Sequence, residues 1–309
     1  MSEYVELRIR GKDTLVKSVI IAGRTTIVTG RLVRVARVMD EELVEGEVVP
    51  DPERFITVLK DTALKADLFT FAERPPQVER RFHYASENDN WAVIELTTFD
   101  DWWEGLPQAT RKNVRRAGKK GIDVRQVDFT DDLVAGIKGI YDESPFRQGR
   151  QFWHFRKDLS DVRKMNATYN DRAEFYGAFF EGKLIGFVKL IFTDHLAYLI
   201  QILALDSHSD KRPMNALLAE AVKACLRRGT TILVYGNYDY QTKSSSSLAE
   251  FKRRNGFVKV EFPRYFVPLT MKGKLAFQIG YRNSFRDLIP PGIIERYVKI
   301  RAMLLSNRA

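Results

Sequence analysis

Alternating apolar and polar residues dominate the first third of the chain. Val5, Leu7 and Ile9 alternate with charged residues, and this period of two is typical of a strand with one buried face. Further strands are predicted over residues 16–22, 25–29, 32–38, 68–71 and 91–96. The last two are separated by Pro75-Pro76 and by the polar residues 86–90, where we predict breaks in regular structure.

One helix interrupts this series of strands. Asp51-Pro52 is a start signal for a helix, because an aspartate can cap the first turn and a proline fits its first position. The helical period then places Phe55, Val58, Leu59 and Ala63 on one face, which we expect to be buried against the strands.

From residue 108 onward, longer helices alternate with strands. Helices are predicted over residues 108–120, 131–141, 214–228 and 246–255. Strands are predicted over residues 174–180, 184–192, 196–205, 231–235 and 259–267, and a hairpin turn at 181–183 joins the first two. We divide the chain into a lobe at 1–105, a connecting helix at 106–127, a second lobe with the presumed active site at 128–270, and a tail at 271–309.

The composition is that of a globular protein, and its length suits two domains. The chain has 309 residues, of which 44% are apolar and 29% charged, so each half can bury a core. Cys225 is the only cysteine, which excludes an intramolecular disulfide partner. The N-terminus lacks a signal-peptide pattern and no apolar stretch approaches the roughly 18 residues that span a bilayer. These features predict a cytoplasmic protein.

The net charge of +10 predicts acidic partners, namely nucleotide phosphates, RNA or an anionic membrane surface. Much of this charge lies on the predicted helix 108–120, which carries six lysines and arginines from Arg111 to Lys120. This helix is either a solvated connector or a face that contacts an anion. The tail at 271–309 is basic as well, and an amphipathic helix after Pro290-Pro291-Gly292 would either pack on the lobes or contact RNA or a membrane surface.

A candidate anion site lies where an apolar strand gives way to a helix. Lys211 and Arg212 precede Pro213, and Met214 and Asn215 begin an amphipathic helix. The N–H groups of a helix N-terminus, together with the two cations, would form a cradle for a pyrophosphate. The alternative is an ordinary strand-to-helix turn with solvated charges.

The next candidate segment is the last predicted helix. Ser246 can cap this helix and Gly256 can end it. Its sequence from residue 251, Phe-Lys-Arg-Arg-Asn-Gly-Phe, resembles the corresponding helix of the Fem-like branch of GNAT acyltransferases, in which a lysine replaces the usual aromatic residue. Residues 102–107 and 111–117 are similar to the link between the paired lobes of that branch. The resemblance covers residues 95–270.

This resemblance implies an α+β (mixed α/β) fold made of tandem GNAT-like lobes, the N-terminal one abbreviated. Each lobe would be a mostly antiparallel sheet flanked by helices. The implied activity is transfer of an acyl group from an acyl-CoA, by default acetyl-CoA, to a small-molecule or peptide amine. Aminoacyl-tRNA is the rival donor. In this scheme Lys252 stabilises the tetrahedral oxyanion.

Two departures from the usual GNAT pattern bear on the donor and the mechanism. Residues 209–215 contain no glycine, although the usual phosphate loop uses glycines for close backbone approach. Gln201, rather than a glutamate base, is the polar residue of the predicted strand 196–205. The missing glycines, Lys252 and the +10 charge favour aminoacyl-tRNA. Tyr238 and Asp239 are candidates for a proton donor and a base, or else residues of a turn.

Acceptor-binding candidates lie in the loop at 144–150 and just after it. Arg147, Gln148 and Arg150 could hold a carboxylate or phosphate, with Gln201 and His154 near them. The alternatives are surface charge for the arginines and a structural histidine. The other histidines lack the spacing of a metal site, so no metal cofactor is expected.

The opposing hypothesis is a GNAT-like module that has lost catalysis. Such a module would bind nucleic acid or a membrane surface through the basic helix and the tail. The absence of a mid-strand acid near Gln201 is the feature that supports it. Kinase, hydrolase and metalloprotease functions have no support, because the nucleotide-binding loop, the serine elbow and the zinc-binding motif are absent from the sequence.

Overall fold

The computed structural model describes residues 3–9, 12–147, 149–239 and 247–278. The strands are β1 Glu3–Ile9, β2 Lys12–Ile21, β3 Arg24–Thr29, β4 Val35–Val38, β5 Leu68–Ala72, β6 Ala85–Glu95, β7 Asp123–Val127, β8 Phe146–Arg147, β9 Arg150–Gln151, β10 Ala173–Phe180, β11 Lys183–Thr193, β12 Leu196–Ala204, β13 Ile232–Val234 and β14 Val258–Pro268. The helices are α1 Pro52–Lys60, α2 Phe99–Gly105, α3 Gln108–Lys119, α4 Asp131–Tyr141, α5 Leu159–Asn166, α6 Pro213–Arg227, α7 Ser247–Arg254 and α8 Met271–Ala276.

The described strands form one sheet of twelve, with β8 and β9 as a separate hairpin. The order across the sheet is β1-β2-β3-β4-β5-β14-β6-β13-β12-β11-β10-β7. Two neighbouring pairs, β4 with β5 and β12 with β13, are parallel. All other neighbours are antiparallel, so the predicted mixed α/β class with a mostly antiparallel sheet is confirmed.

Strand β14 connects the C-terminal part of the described chain to two strands of its first third. Residues 258–266 pair with β6, and residues 264–268 also pair with β5. Both partners precede residue 96, so a strand from near the end of the described chain completes the N-terminal half of the sheet. The division into lobes at 1–105, 106–127 and 128–270 stays a prediction, and most of the tail at 271–309 lies outside the described residues.

The main core lies between the sheet and helices α3 and α6. Leu217, Leu218 and Val222 of α6 are fully buried there, and burial of each such side chain contributes about 1.5–3 kcal/mol. Helices α4 and α5 cover the opposite face through Val134, Ile137 and other apolar residues. The apolar period of the predicted helix 214–228 therefore identified its buried face correctly.

Several predicted boundaries were wrong. Strand β4 starts at Val35, and Leu32 is 84% exposed. Helix α1 ends at Lys60, so Ala63 lies beyond it, and Val58 is 43% exposed. Residues 86–90 do not form a break. They belong to β6, because each of them pairs with a residue of β14. Helices α2 and α5 and strand β7 were not predicted.

Candidate active site

A cleft opens where β12 and β13 separate. The two strands pair only from Leu196 with Ile232 to Tyr198 with Val234. The chain then leaves β12, because Tyr235 N–H donates to the Ala92 oxygen of β6 at 2.9 Å and the Gly236 oxygen accepts from Ala92 N–H at 2.8 Å. Beyond Tyr198, no described strand covers that edge of β12. Main-chain groups on this edge therefore have no strand partner among the described residues.

A β-bulge lies on β12 within this cleft. Lys189 of β11 pairs with Gln201 and Leu190 pairs with Leu199, so Ile200 is an extra residue between them. Its side chain is 41% exposed, although the neighbouring strand positions are mostly buried. Bulges change the direction of side chains and are common beside active sites. Here the bulge lies between Tyr198 and Gln201 of β12.

Lys252 of α7 lies at the point where the strands separate. Its side chain is fully buried, and its ammonium donates to the main-chain oxygen of Asn237 at 2.7 Å and lies 4.7 Å from the centre of the Tyr235 ring. Burial lowers the pKa of Lys252 from 10.5 to about 8, although the charge of Asp239 acts against this. The structure therefore holds a buried cation at the end of the cleft.

The other two predicted catalytic residues follow β13 closely. The Asp239 carboxylate forms an ion pair with Lys259 at 3.1 Å. The main-chain N–H of Asp239 donates to the side-chain oxygen of Asn90. Tyr238 is partly buried against the main core. Asp239 lies near enough to Lys252 to interact with its charge, so these residues do gather at one end of the cleft.

A cavity of about 390 Å³ lies on the α4 and α5 side of β12 and brings two predicted acceptor residues together. Gln201 and His154 both line it. The Tyr141 hydroxyl donates to the Gln201 side-chain oxygen at 2.7 Å, and the His154 ring lies 4.4 Å from the Tyr141 ring. Gln201 is thus oriented by a hydrogen bond, at the bulge and beside the cleft.

Lys189 is a cavity residue that the sequence reasoning missed. It is 1% exposed, and its ammonium donates to the Asn166 and Thr168 main-chain oxygens and to the Thr168 hydroxyl at 2.7–3.0 Å. Burial lowers its pKa to about 8. One lysine within the apolar run from Leu184 to Thr193 was the signal that could have identified it, since charged groups are rarely buried without a role.

The loop after β12 is held by a residue that was also missed. Glu143 accepts from the N–H groups of Asp206 and Ser207 at 2.6 and 2.9 Å, and from the Ser207 hydroxyl. Burial acts to raise the pKa of Glu143, but these hydrogen bonds and Arg147 outweigh it and lower the pKa. A protein carboxylate thus occupies two N–H donors of the segment that directly precedes the predicted phosphate loop at 209–215.

Arg147 supports the same loop and does not line the 390 Å³ cavity. Its guanidinium donates to the main-chain oxygens of Ala204 and Ile140 at 2.8 and 2.9 Å and pairs with Glu143. Since these contacts use most of its N–H groups, the structure places Arg147 as a clamp on the β12–α6 turn. Gln148, the Arg150 side chain and Ser246 lie outside the described residues.

The N-terminus of α6 differs from the predicted N–H cradle. Pro213 is its first residue, one position before the predicted start at Met214, and a proline has no N–H. The N–H groups of Asn215 and Ala216 already donate to the Arg212 oxygen at 3.2 and 3.4 Å. The Asn215 side chain donates to Asn255 of the segment after α7, and Met214 packs against the core. Few helix N–H groups therefore remain for a pyrophosphate.

Some of the cations near this loop remain exposed and could contact an anionic ligand. Arg212 is exposed and adopts a left-handed backbone conformation (φ 62°), whereas Lys211 lies 3.5 Å from Asp210. Helix α3 runs beside α6, and Lys120 at its end pairs with Asp210 at 2.6 Å. Exposed cations continue along α3, namely Lys112, Arg115, Arg116 and Lys119. Together they form a basic surface next to the loop.

Other expectations concern metals, the cysteine and the membrane. No group of three His, Cys, Asp or Glu side chains among the described residues is placed to hold a metal ion. Cys225 is buried, and burial raises its pKa, which suits a core residue. No helix in the described part of the chain has both the length and the apolar character needed to cross a bilayer.

Comparison with known proteins gives the family of the second half of the chain. Residues 108–253 match the model of the GNAT acetyltransferase domain. No curated protein matches the chain in sequence. Among solved structures, FemX aligns over 90% of both chains with a TM-score of 0.60 and 12% identity.

Two further structures have a similar fold. The C-terminal domain of a protein assigned as a lysylphosphatidylglycerol synthetase from Agrobacterium fabrum aligns over 82% of this chain and 84% of its own, with a TM-score of 0.53 and 14% identity. L-PGS from Bacillus licheniformis aligns over 79% and 81%, with a TM-score of 0.50 and 13% identity. At these low sequence identities, the structural similarity shows that the folds are alike and nothing about a shared activity. Residues 108–253 thus match the predicted GNAT family, and the likeness to FemX shows a similar fold over most of the chain.

Proposed function

We propose that the chain, whose residues 108–253 match the GNAT acetyltransferase domain, is an N-acyltransferase that transfers an aminoacyl group from aminoacyl-tRNA to an amine. The observation that carries this proposal is Lys252, a buried cation at the point where β12 and β13 separate. Such an enzyme would act in the cytoplasm, where aminoacyl-tRNA is made.

The reaction suits a buried cation. The acceptor amine attacks the ester carbonyl of the donor, a C–N bond forms, and the carbonyl oxygen becomes negatively charged. Collapse of this intermediate breaks the C–O bond to the ribose, and the proton lost by the amine ends on the leaving hydroxyl. A preorganised ammonium in a site without water stabilises the oxyanion far more than in solution, which is the role we assign to Lys252. Tyr238 and Asp239 would carry the proton.

The loop after β12 supports a donor that is not bound through loop N–H groups. Glu143 occupies the N–H groups of Asp206 and Ser207, and Pro213 and the bonds to the Arg212 oxygen leave little of an N–H cradle at α6. The exposed cations of α3 lie next to this loop. A polyanion such as tRNA can be held by such a surface through phosphate contacts alone.

Gln201 and His154 fit the acceptor side of the proposal. They line the 390 Å³ cavity that adjoins the bulge, and Gln201 is fixed by Tyr141. An acceptor in this cavity would approach β12 from the side opposite α6. Catalysis would depend on positioning, since Gln201 stands where a carboxylate base is usual.

Acyl-CoA transfer is the second candidate. It is favoured by the description of the matching domain as an acetyltransferase and by Lys211 and Arg212 directly before α6. In this case a rearrangement of Glu143 would free the loop N–H groups for the donor pyrophosphate.

The two donors are distinguished by transfer assays with labelled substrates. Purified protein is incubated with a mixture of charged tRNAs carrying labelled amino acids, or with labelled acetyl-CoA, and with a panel of simple primary amines. Label transferred from tRNA, in amounts that fall as salt is raised, supports the proposal. Label transferred only from acetyl-CoA would contradict it and establish the second candidate.

A further inference from the structure

A second, smaller cavity lies where the two halves of the sheet meet. It has a volume of about 180 Å³, and its lining includes Trp91 of β6, Tyr198 of β12 and Asn237. The charged side chains of the lining are four carboxylates and three guanidiniums, namely Glu41, Glu42, Glu73, Asp89, Arg37, Arg74 and Arg264. Tyr198 forms the last pair between β12 and β13. Asn237 is the residue whose main-chain oxygen accepts from Lys252. The cavity therefore adjoins the proposed catalytic lysine.

The acidic segment 40–47 contrasts with the charge of the whole chain. It contains five acidic residues among eight, although the net charge is +10. Its main chain is fixed by arginines. Arg74 donates to the oxygens of Glu42 and Gly46, Arg24 to those of Glu45 and Glu47, and Arg172 to that of Leu43. Because these arginines bind main-chain oxygens, the carboxylates of Glu41 and Glu42 are left for other contacts.

Glu41 is the carboxylate with an oxygen that most clearly lacks a hydrogen-bond donor. It is only 9% exposed and lines the cavity. One carboxylate oxygen pairs with Arg264, whereas the other, Oε2, is buried and has no hydrogen-bond partner among the described residues. Leaving a buried carboxylate oxygen unpaired destabilises the native state, because that oxygen loses its hydrogen bonds to water. A donor supplied by a ligand would remove this destabilisation.

Glu42 presents a second carboxylate to the same cavity. Burial raises its pKa, and Asp40 and Glu41 raise it further, against its own backbone hydrogen bond and the charge of Arg37. No described side chain donates a hydrogen bond to it. Arg264 already pairs with one oxygen of Glu41, so Glu41 Oε2 and the Glu42 carboxylate are the acceptors that no described side-chain donor satisfies.

Two aromatic side chains in the lining of this cavity indicate which kind of cation it binds. Trp91 and Tyr198 contact each other edge to face, with ring centres 5.8 Å apart, and both line the cavity. Aromatic rings beside carboxylates suit an ammonium, which gains cation–π attraction and offers three N–H donors. A metal ion needs more ligands, and no described group of three such side chains is placed to hold one.

We propose that this cavity binds an alkylammonium group of the acceptor, with Glu41 and Glu42 as its carboxylate partners. The inference rests on the proposed function, because it makes the N-terminal part of the chain the source of acceptor specificity. The acceptor is then a cationic amine of the alkylammonium class. A neutral or acidic acceptor would offer no ammonium N–H to Glu41 Oε2.

The test measures binding, without any donor. The dissociation constant of n-butylammonium for the full chain is compared with that of 1-pentanol, which has a similar shape and no charge. Wild-type protein should prefer the ammonium by about tenfold or more, as expected for a charge-assisted contact. Glu41→Gln should reduce this preference to less than about threefold, whereas Glu45→Gln should preserve it, because Glu45 lies on the same segment and is largely exposed.

Two controls allow the binding result to be interpreted if a variant fails to fold or if transfer is lost. If Glu41→Gln does not fold, because Arg264 loses its partner, Glu42→Gln gives the same readout from the other carboxylate. Equal binding of the ammonium and the alcohol by wild-type protein would overturn the proposal, and so would an unchanged preference in both variants. Lys252→Met should abolish transfer and retain ammonium binding, so a failure of the proposed function and a failure of this site are distinguishable.

Discussion

The Lys252 ammonium donates to the main-chain oxygen of Asn237 at 2.7 Å, and the Asn237 side chain in turn donates to Asp89 at 3.2 Å. This chain of contacts links α7, the segment after β13 and strand β6. It places a buried cation at the exact place where β12 and β13 part. The position of Lys252 thus depends on both halves of the sheet.

The buried lysines predict how stability depends on pH. Lys252 and Lys189 each have a native pKa of about 8, lowered from 10.5 by burial. Between pH 8 and 10.5 the unfolded chain binds more protons at these sites than the native chain does, so stability rises with pH over that interval. Each lysine contributes up to about 3 kcal/mol to this rise.

Chemical unfolding at pH 8 and pH 10 measures the effect. The rise in the free energy of unfolding should be larger in wild-type protein than in Lys252→Met, and smallest in a variant with both lysines replaced. Equal pH slopes in the three proteins would show that neither lysine has the lowered pKa.

Glu143 should control the loop after β12. Glu143→Gln removes the charge that holds the N–H groups of Asp206 and Ser207, and we expect a loss of about 1–3 kcal/mol of stability. Since the native pKa of Glu143 is lowered, its contribution is present above the unfolded pKa and is lost as pH falls through the native one. Thermal unfolding of both proteins between pH 7 and pH 3 checks this, and the difference between them should shrink on acidification.

A second variant of the same residue, Glu143→Ala, tests the donor site. If the loop N–H groups bind a CoA pyrophosphate once Glu143 leaves, Glu143→Ala should bind CoA more tightly than wild-type protein. The tRNA proposal expects no CoA binding by either protein, which calorimetric titration would show.

Gly256 should be required for the end of α7. It has a φ of 88°, and a Cβ there would lie 3.1 Å from the Trp102 indole nitrogen, which donates to the Asn255 oxygen. Gly256→Ala should therefore destabilise the protein by about 1–3 kcal/mol and disturb the helix that carries Lys252. Denaturant unfolding measures the loss. Gly182→Ala, also at positive φ but with no atom within 4 Å of its Cβ, separates backbone strain from the clash with Trp102.

The basic surface of α3 should bind tRNA in a salt-dependent way. Lys112, Arg115, Arg116 and Lys119 are exposed, and each cation that contacts a phosphate adds roughly one unit to the slope of log affinity against log salt. Replacing all four by glutamine should weaken tRNA binding and flatten that slope. Replacing four exposed lysines and arginines elsewhere is the control. An unchanged slope would place the tRNA on another surface.

The sequence predicted local features better than features formed between distant segments. The period of the residues before Arg228 identified α6 and its buried face, and the Phe-Lys-Arg-Arg-Asn-Gly-Phe string led to Lys252. Lys189 was missed because the apolar run around it indicated only a strand. Strand β14 pairs with β5 and β6 across more than 160 residues, and no local pattern encodes such a partner.

The same limit explains the sites that were not foreseen. Glu41 and Glu42 approach Tyr198 only because β12 and the N-terminal strands share a sheet. Glu143 appeared as one more charge after a helix, and only the fold brings it to Asp206. Residues 86–90 have a loop-like composition but form a strand because β14 lies beside them.

The most direct test of the account is aminoacyl transfer by Lys252→Met, measured as label moved from charged tRNA to an amine. The side chain of methionine fills similar space without the charge, and Lys183→Met on the exposed β10–β11 hairpin is the matched control. We predict that Lys252→Met lowers kcat by about 10²-fold or more while tRNA binding and folding are retained, and that Lys183→Met has wild-type activity. Equal transfer by Lys252→Met and wild-type protein would contradict the central role of this lysine.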